Sequence, residues 1–380
     1  MKKPKILFFV NVDWFFISHR LPIALEAFSK GFEVHIATTF TDKRSEIESL
    51  GFYLHEINVS RGSLRLFESF QTLMRVIQLF KKVQPQIVHL VTIKPIILGG
   101  IAARIAHIQC VVAAISGLGY IFIDQGAKAS IRRFFIRFLY KLALSHKNIK
   151  IICQNKNDLN VMQKISNLPS DFFSLIPGSG VCLNKFKFYP DKNEYAKIIL
   201  ASRMLKDKGI YEFVDAAKII QKYDLKAQFI LVGDPDHENP TSLNQQQLNN
   251  WEKEGILEAW GHQENMHEIL SMASIVVLPS YREGFPKVLI EAAACGRAII
   301  TTDVPGCRDA INNGVTGILV PAKDPVALAE AITSLIKDPK MRLSMGESGR
   351  KMAEERFNET HVINEHFNIY NQLLIKNLQT

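Results

Sequence analysis

The stretch Ser274-Ile-Val-Val-Leu-Pro-Ser-Tyr-Arg-Glu-Gly-Phe-Pro-Lys-Val-Leu-Ile-Glu-Ala-Ala-Ala-Cys-Gly296 decides the fold. Its apolar run, which ends at Pro279, is typical of a buried parallel strand. Pro286 then predicts the first residue of a helix, and Gly296 predicts its end. The loop between strand and helix, residues 280–284, therefore lies at the carboxyl edge of a sheet, where open α/β folds bind their ligands.

Two carboxylates bracket this unit, Glu283 in the loop and Glu291 in the helix. A carboxylate accepts two hydrogen bonds side by side, which suits the vicinal hydroxyls of a ribose or a hexose. The unpaired N–H groups of the helix N-terminus suit an anion. Taken alone, each glutamate is also explained as a solvated surface residue, because carboxylates are rarely buried.

A second group of polar residues follows a predicted strand at 198–202. Arg203 and Lys208 leave that strand at the same sheet edge as the loop glutamate, and two fixed cations there suit a diphosphate. In isolation these cations are also explained as solvated loop residues. Gly261 and His262 follow a further short strand to this edge, although His262 is also explained as a helix-capping or exposed residue.

Together, the two segments resemble the signature of the retaining glycosyltransferase family 4. The match comprises Glu-x7-Glu from Glu283 to Glu291, set between Leu-Pro-Ser and Glu-Ala-x-Ala-Cys-Gly, and Arg-x4-Lys-Gly from Arg203 to Gly209. The resemblance implies the GT-B fold, in which two Rossmann-like, doubly wound α/β domains face each other across a cleft. It also implies that the C-terminal helix crosses back to the first domain, and that the transferred sugar retains its anomeric configuration.

The resemblance also implies roles for individual residues. Arg203 and Lys208 are expected to grip a nucleotide diphosphate, Glu283 to position the hydroxyls of a hexose, and Glu291 to bind the ribose. The predicted catalytic residues are Glu283, Arg203 and Lys208. The predicted donor-binding residues are Arg203, Lys208, Gly261, His262, Glu283, Gly284, Phe285, Pro286 and Glu291.

The segment Asp234-Pro-Asp236 looks like the metal-binding Asp-x-Asp of the other large transferase fold. We reject a metal site here, because the segment lies in the wrong half of the chain for that fold and because Arg203 and Lys208 already neutralise a diphosphate. The prediction is an enzyme without a metal or another cofactor.

A length of 380 residues is typical of about two domains. Strand and helix patterns alternate at short loop lengths in both halves, which predicts parallel, doubly wound sheets. The predicted first domain, residues 1–185, binds the acceptor, and the predicted second domain, 196–360, binds the nucleotide sugar. A linker is predicted at about 180–196, and residues of about 360–380 are expected to cross back.

Three features bear on the cellular compartment. Five cysteines without a CxxC pair favour a reducing compartment without disulfides or a zinc framework. The apolar run 6–10 is too short for a signal peptide and predicts a strand, followed by a loop at 11–18 whose Ser18 caps the first helix. Residues 105–123 lack Lys, Arg, Asp and Glu, but their glycines and polar residues favour a helix end, a strand and a loop over a membrane span.

The positive charge is concentrated in the first half. Residues 1–190 carry 25 Lys and Arg against 11 Asp and Glu, a net charge of +14, and the remainder carries 21 against 26, a net charge of −5. In 127–150, cations interleave with Phe, Leu and Ile at helical spacing. This pattern is typical of an amphipathic helix on anionic lipid, or of an ordinary helix packed in its domain. The predicted membrane patch is Lys128, Arg132, Arg133, Arg137 and Lys141.

Two stretches, Ser18-His-Arg-Leu-Pro22 and Ser116-Gly-Leu-Gly-Tyr-Ile-Phe-Ile-Asp-Gln-Gly126, are similar to a bacterial branch of the family. Its members add N-acetylgalactosamine to an undecaprenyl-diphosphate-linked amino sugar. An acceptor site is expected in the basic first half. Lys94 is a candidate to meet a lipid diphosphate there or is a residue without that role, and His19 would contact acceptor or donor or serve only in a helix turn. The predicted acceptor residues are His19, Lys94, Ser116 and Gly117.

The leading hypothesis is a metal-independent, retaining glycosyltransferase. It moves a sugar, with N-acetylhexosamine favoured, from a UDP-sugar to an undecaprenyl-diphosphate-linked glycan in the assembly of a surface polysaccharide or a glycoprotein glycan. It is expected in the cytoplasm, attached peripherally to the anionic inner face of the cytoplasmic membrane. One alternative is a nucleotide-sugar epimerase of the same fold, which needs no acceptor. The other is a nucleic-acid binder, against which the core spacing of the aromatic residues argues.

Overall fold

Two parallel sheets organise the residues that the structure describes. The computed structural model describes residues 3–59, 66–118, 127–191, 195–223, 225–236 and 239–378. Within these ranges one sheet has seven strands and the other has six. The chain divides into two compact units, Met1–Ser179 with Thr360–Thr380, and Gly180–Glu359. Alternation of strand and helix in both units is the predicted doubly wound α/β architecture.

The sheet of the first unit is buried on both faces. Leu7 and Phe9 of its first strand in sequence lie in one apolar core, and Ile6, Phe8 and Val10 lie in another. Both side-chain sets are apolar because helices cover the two faces of a parallel sheet. The strand order is β3-β2-β1-β4-β5-β6-β7. The strands are β1 Lys5–Val12, β2 Glu33–Thr39, β3 Tyr53–Glu56, β4 Ile87–Val91, β5 Cys110–Ile115, β6 Ile149–Cys153 and β7 Phe173–Leu175.

The helices of the first unit follow these strands, with one departure from the prediction. The helices are α1 Asp13–His19, α2 Leu21–Ser29, α3 Arg44–Ser49, α4 Leu66–Val83, α5 Ile93–Ile105, α6 Ala127–Ala143 and α7 Lys156–Ser166. The predicted loop at 11–18 with Ser18 as a cap is wrong, because α1 already begins at Asp13. Asp13 is buried, and its carboxylate accepts hydrogen bonds from the N–H groups of Thr41 and Lys43 at 2.6 and 3.1 Å. These long-range bonds fix the start of the helix and are invisible in local sequence.

The second unit repeats the architecture with strand order β10-β9-β8-β11-β12-β13. Its strands are β8 Ala196–Ala201, β9 Ala227–Val232, β10 Glu258–Ala259, β11 Ile275–Leu278, β12 Ala298–Thr302 and β13 Gly317–Val320. Its helices are α8 Ile210–Ile220, α9 Gln245–Lys253, α10 Met266–Met272, α11 Lys287–Ala294, α12 Pro325–Lys337 and α13 Pro339–Arg356. Val181 and Phe186, from the region predicted as a linker, are buried in a core of this unit.

Helix α11 ends as predicted and begins one residue later than predicted. Gly296 has a φ of +72°, the left-handed conformation that commonly terminates helices. Pro286 is extended, with φ −75° and ψ 116°, and therefore precedes the helix instead of forming its first turn. The loop that follows β11 therefore includes Pro286, which was predicted to be the first residue of the helix.

The last helix, α14 Glu359–Leu378, belongs almost entirely to the first unit. Val362, Phe367 and Tyr370 are buried in the core that also contains Ile6 and Phe8 of β1. The helix therefore covers one face of the seven-stranded sheet, as the family resemblance implies.

Candidate functional site

The predicted donor residues lie where the strand order of the second sheet reverses. β8 pairs with β9 on one side and with β11 on the other. Arg203 and Lys208 follow β8, and Glu283 follows β11. In open α/β sheets the crevice outside the carboxyl ends of two such strands is the usual ligand site.

Lys208 and Glu283 are in direct contact at this point. The Lys208 Nζ lies 2.5 Å from Oε1 of Glu283, and both side chains are largely buried, with 16% and 13% exposed. The hydroxyl of Ser280 donates a 2.7 Å hydrogen bond to the same Oε1. Ser280 is itself buried, and the Thr302 hydroxyl donates to its carbonyl oxygen. The sequence analysis missed Ser280, which holds the glutamate in place.

Two glycines allow the backbone segments around this contact to approach each other. Gly209, with φ +73°, lies so close to β11 that an added Cβ would be 2.2 Å from the Pro279 carbonyl oxygen. At Gly306, with φ +83°, a Cβ would be 2.6 Å from the carbonyl oxygens of Glu283 and Gly284. A side chain at either position would displace backbone, so the loop carrying Glu283 depends on the absence of one.

Arg203 is engaged by a different carboxylate. Its Nη1 lies 2.7 Å from Oδ2 of Asp236, which is 13% exposed, whereas the Arg203 side chain is 46% exposed. Asp234 Oδ1 accepts a 3.0 Å hydrogen bond from the N–H of His262, and the N–H of Gly233 donates to the Gly261 carbonyl oxygen. Residues 233–236 thus connect to Arg203, Gly261 and His262. Asp236 as the partner of Arg203 was also missed by the sequence analysis.

The remaining predicted donor residues lie in α11 or directly before it. Glu291 is buried, with 7% of its surface exposed, and its Oε1 lies 3.4 Å from Lys287 Nζ. Burial raises the pKa of Glu291, and the charge of Lys287 opposes this shift. Phe285 is buried and packs edge-on against Phe357, with ring centroids 5.5 Å apart. Phe285 thereby anchors the loop that presents Glu283.

The predicted acceptor residues of the first unit lie on separate elements. His19 ends α1, where its ring stacks on Phe15 at 4.1 Å and its Nδ1 lies 2.5 Å from the Ser18 hydroxyl. Lys94 lies in the first turn of α5, where burial lowers its pKa and the charge of Glu68 opposes this shift. Both residues are hence held by neighbours of their own unit.

Unsatisfied hydroxyls mark the carboxyl edge of the first sheet. The Oγ1 of Thr92 and the Oγ of Ser116 are buried and have no hydrogen-bond partner among the described residues. They follow β4 and β5, which are paired neighbours up to Val91 and Ala114. Thr92 also has a φ of +74°, a strained conformation for a β-branched residue, and Gly117 follows Ser116 with φ +114°. Orphan polar groups and strain of this kind are typical of binding sites.

Helix α6 has a buried face and an exposed aromatic face. Ile136 and Tyr140 are buried in the first unit, whereas Phe134, Phe135 and Phe138 are 69%, 60% and 60% exposed. Of the predicted patch, the side chains of Lys128 and Arg132 lie outside the described residues, and the cations described on this helix are Arg133, Arg137 and Lys141. Within the described ranges, no helix combines the length and apolarity needed to cross a bilayer.

Comparison with family models places both units among glycosyltransferases. Residues 184–352 match the model described as glycosyl transferases group 1, and residues 5–155 match the model described as glycosyl transferase 4-like. Together the two matches account for most of the chain.

Two named relatives match over most of their length. The N,N'-diacetylbacillosaminyl-diphospho-undecaprenol alpha-1,3-N-acetylgalactosaminyltransferase of Campylobacter jejuni is 30% identical, with 94% of this chain and 96% of that protein covered. The UDP-Gal:alpha-D-GlcNAc-diphosphoundecaprenol alpha-1,3-galactosyltransferase of Escherichia coli is 26% identical over 82% of each chain.

Solved structures share the fold at low sequence identity. HepE of Anabaena, solved in complex with UDP, superposes with a TM-score of 0.78 at 16% identity, over 97% of this chain and 100% of that one. Sucrose-phosphate synthase of Thermosynechococcus elongatus gives a TM-score of 0.79 at 21% identity, over 98% and 100%.

Proposed function

The chain belongs to glycosyltransferase family 4, and from this premise we propose that it transfers an N-acetylhexosamine from a UDP-sugar to an undecaprenyl-diphosphate-linked glycan, with retention of configuration. The observation that carries the proposal is the contact between Lys208 and Glu283 at the point where the strand order reverses. There one cation and one carboxylate lie side by side, which suits the diphosphate and the sugar of a single donor molecule.

Transfer requires the bond between the anomeric carbon and the diphosphate oxygen to break. Negative charge then develops on the leaving diphosphate, and fixed cations stabilise it most when they are already in place. Lys208 and Arg203 supply these cations, and the dipole of helix α11 adds a partial positive charge at its N-terminal end. The acceptor hydroxyl attacks from the face that the diphosphate leaves, and its proton passes to the departing phosphate oxygen.

Glu283 would position the sugar while this happens. Its Oε1 is occupied by Lys208 and Ser280, and the hydrogen bonds described for its carboxylate leave Oε2 to accept from sugar hydroxyls. Glu291, on the following helix, is proposed to bind the ribose. Metal independence is part of the proposal, because Asp234 and Asp236 are already engaged by His262 and Arg203.

Two observations favour a lipid-linked acceptor. The relatives from C. jejuni and E. coli are both named for undecaprenyl-linked acceptors. The first unit presents three exposed phenylalanines beside Arg133, Arg137 and Lys141 on α6, a combination that suits insertion into an anionic lipid surface. We therefore place the protein in the cytoplasm, bound peripherally to the inner face of the cytoplasmic membrane.

The proposal is tested by incubating the protein with radiolabelled UDP-sugars and an undecaprenyl-diphosphate-linked amino sugar. We expect labelled lipid-linked product with at least one UDP-N-acetylhexosamine, and loss of this product in Glu283→Ala. Absence of transfer from every common UDP-sugar would refute it. Conversion of the donor without an acceptor would indicate the epimerase alternative, which the names of the two relatives do not support.

A further inference from the structure

Each cation of the proposed diphosphate site is already paired with a carboxylate. Arg203 Nη1 lies 2.7 Å from Asp236 Oδ2, and Lys208 Nζ lies 2.5 Å from Glu283 Oε1. The two carboxylates are equally and largely buried, with 13% of each side chain exposed. The site is therefore self-neutralised in this structure, and a bound diphosphate has to compete with both carboxylates for its cations.

The two ion pairs differ in the role that is left to the carboxylate once a diphosphate has taken its cation. Glu283 remains tied to Ser280, so it stays at the site when Lys208 turns to a phosphate, and it is proposed to bind the sugar. Asp236 has no proposed substrate contact. Its N–H donates to the Ser242 hydroxyl, which fixes the loop through the backbone whatever the side chain does.

Arg203 can exchange its carboxylate partner, Asp236, for a phosphate at a low cost in free energy. A partly exposed ion pair contributes little net free energy, whereas Arg binds phosphate through two parallel, charge-assisted hydrogen bonds. The more exposed partner, Arg203, is free to rotate toward a ligand while the more buried Asp236 remains in place. The carboxylate then repels the bound diphosphate and recaptures Arg203 when the diphosphate leaves.

We propose that Asp236 is an exchange counter-ion that holds Arg203 between turnovers and weakens the binding of the product diphosphate. The inference rests on the proposed function, because it takes Arg203 as a ligand of the nucleotide diphosphate. Asp236 is then a residue that sets the rate of product release, and it does so through Arg203 and without touching the reacting atoms.

The experiment measures UDP binding by isothermal titration calorimetry. Asp236→Asn should bind UDP about fivefold more tightly than wild type, because the competing charge is removed while the loop is retained. The gain should disappear in the Arg203→Ala background. Glu354→Gln is the matched control, because it removes one negative charge and one ion pair, with Arg350, elsewhere in the same unit; its affinity should equal that of wild type. Asp236→Ser serves as a second variant if Asp236→Asn misfolds.

The outcomes separate this inference from the proposed function. Unchanged or weaker UDP binding in Asp236→Asn, with normal binding in wild type, overturns the counter-ion role alone. A gain that persists without Arg203 also overturns it, since the effect would then be a general one of net charge. If the wild-type protein binds neither UDP nor any UDP-sugar, the proposed function fails, and the inference with it.

Discussion

The hydroxyl of Tyr370 lies 2.6 Å from Nδ1 of His89, and 281 positions of sequence separate the two residues. Both are fully buried in the first unit, together with Arg20 and His366. His366 donates from its Nδ1 to the Val362 carbonyl oxygen at 2.7 Å, and its buried Nε2 has no hydrogen-bond partner in the part of the chain that the structure describes. The last helix is thus joined to strand β4 through a polar cluster that contains two neutral imidazoles.

This cluster predicts that the first unit loses stability in mild acid. Burial lowers the pKa of His366 to about 3 and that of His89 well below its usual value, with the charge of Arg20 contributing to both shifts. The unfolded chain therefore binds more protons, and the free energy of unfolding falls as pH drops below about 6.5, by up to about 1.4 kcal/mol per pH unit for each histidine. Urea unfolding at pH 7 and pH 5 measures this loss. His366→Phe should show a smaller loss, and an equal loss in both proteins would contradict the assignment.

Gly306→Ala should impair transfer by displacing the loop that carries Glu283. The new Cβ would lie 2.6 Å from two carbonyl oxygens of that loop, too close for it to fit without displacing the backbone. A residue other than glycine would also add about 1–2 kcal/mol of backbone strain at positive φ. We expect more than a tenfold fall in kcat/KM. Gly314→Ala is the control, because Gly314 also has a positive φ, +76°, but a Cβ there meets nothing within 4 Å. Similar activities of the two variants would show that the close approach is unimportant.

Lys208→Ala should lower kcat about 100-fold, the usual effect of removing one group that stabilises developing charge. Steady-state transfer assays at saturating donor measure it. Lys206→Ala removes the same charge two residues earlier in the same short helix, Lys206–Lys208, from an exposed position, and it should keep its activity. Equal losses in the two variants would mean that net charge, and not the contact with Glu283, matters.

The exposed aromatic face of α6 predicts binding to anionic membranes. Replacing Phe134 and Phe138 by Ser should weaken sedimentation with phosphatidylglycerol vesicles at least tenfold, because each buried phenylalanine contributes about 1.5–3 kcal/mol. Tyr223→Ser removes an equally exposed aromatic residue, 60% exposed, from the second unit and should leave sedimentation unchanged. If the α6 variant sediments like wild type, this face does not meet lipid.

Thr92→Val should stabilise the protein and impair its use of the acceptor. The buried hydroxyl has no partner among the described residues, so its removal relieves a desolvation cost of about 1–3 kcal/mol, while valine keeps the branched shape. Thermal unfolding measures the first effect, and the KM for the lipid-linked acceptor measures the second. Stabilisation with an unchanged KM would show that the orphan hydroxyl is a defect of packing without a role in binding.

The positions of the proposed donor residues could be predicted from sequence because these residues lie in short, contiguous segments. The apolar run before Pro279 and the glycine at 296 define strand and helix locally, and Arg203, Lys208 and Glu283 follow strands that a parallel fold brings to one edge. Asp236 was missed as the partner of Arg203, because a contact across 33 positions depends on strand order. Ser280 was missed although it lies only three positions before Glu283, because its hydrogen bond depends on the conformation of the loop that contains both residues.

The first unit was less predictable. The start of α1 depends on hydrogen bonds between Asp13 and the backbone of Thr41 and Lys43, about 30 positions away. The strained Thr92 stands out through its φ and its buried, unsatisfied hydroxyl, and no local pattern in the sequence indicates either feature.

The discontinuous first unit has a consequence for biosynthesis. A ribosome completes all of Gly180–Glu359 before it reaches the residues of α14, so the second unit can fold while the first still lacks its last helix. Until then the nascent chain exposes the apolar face that Phe367 and Tyr370 later cover. Translation beyond residue 360 therefore limits when the first unit can mature, and the newly made chain is a natural client for chaperones during that interval.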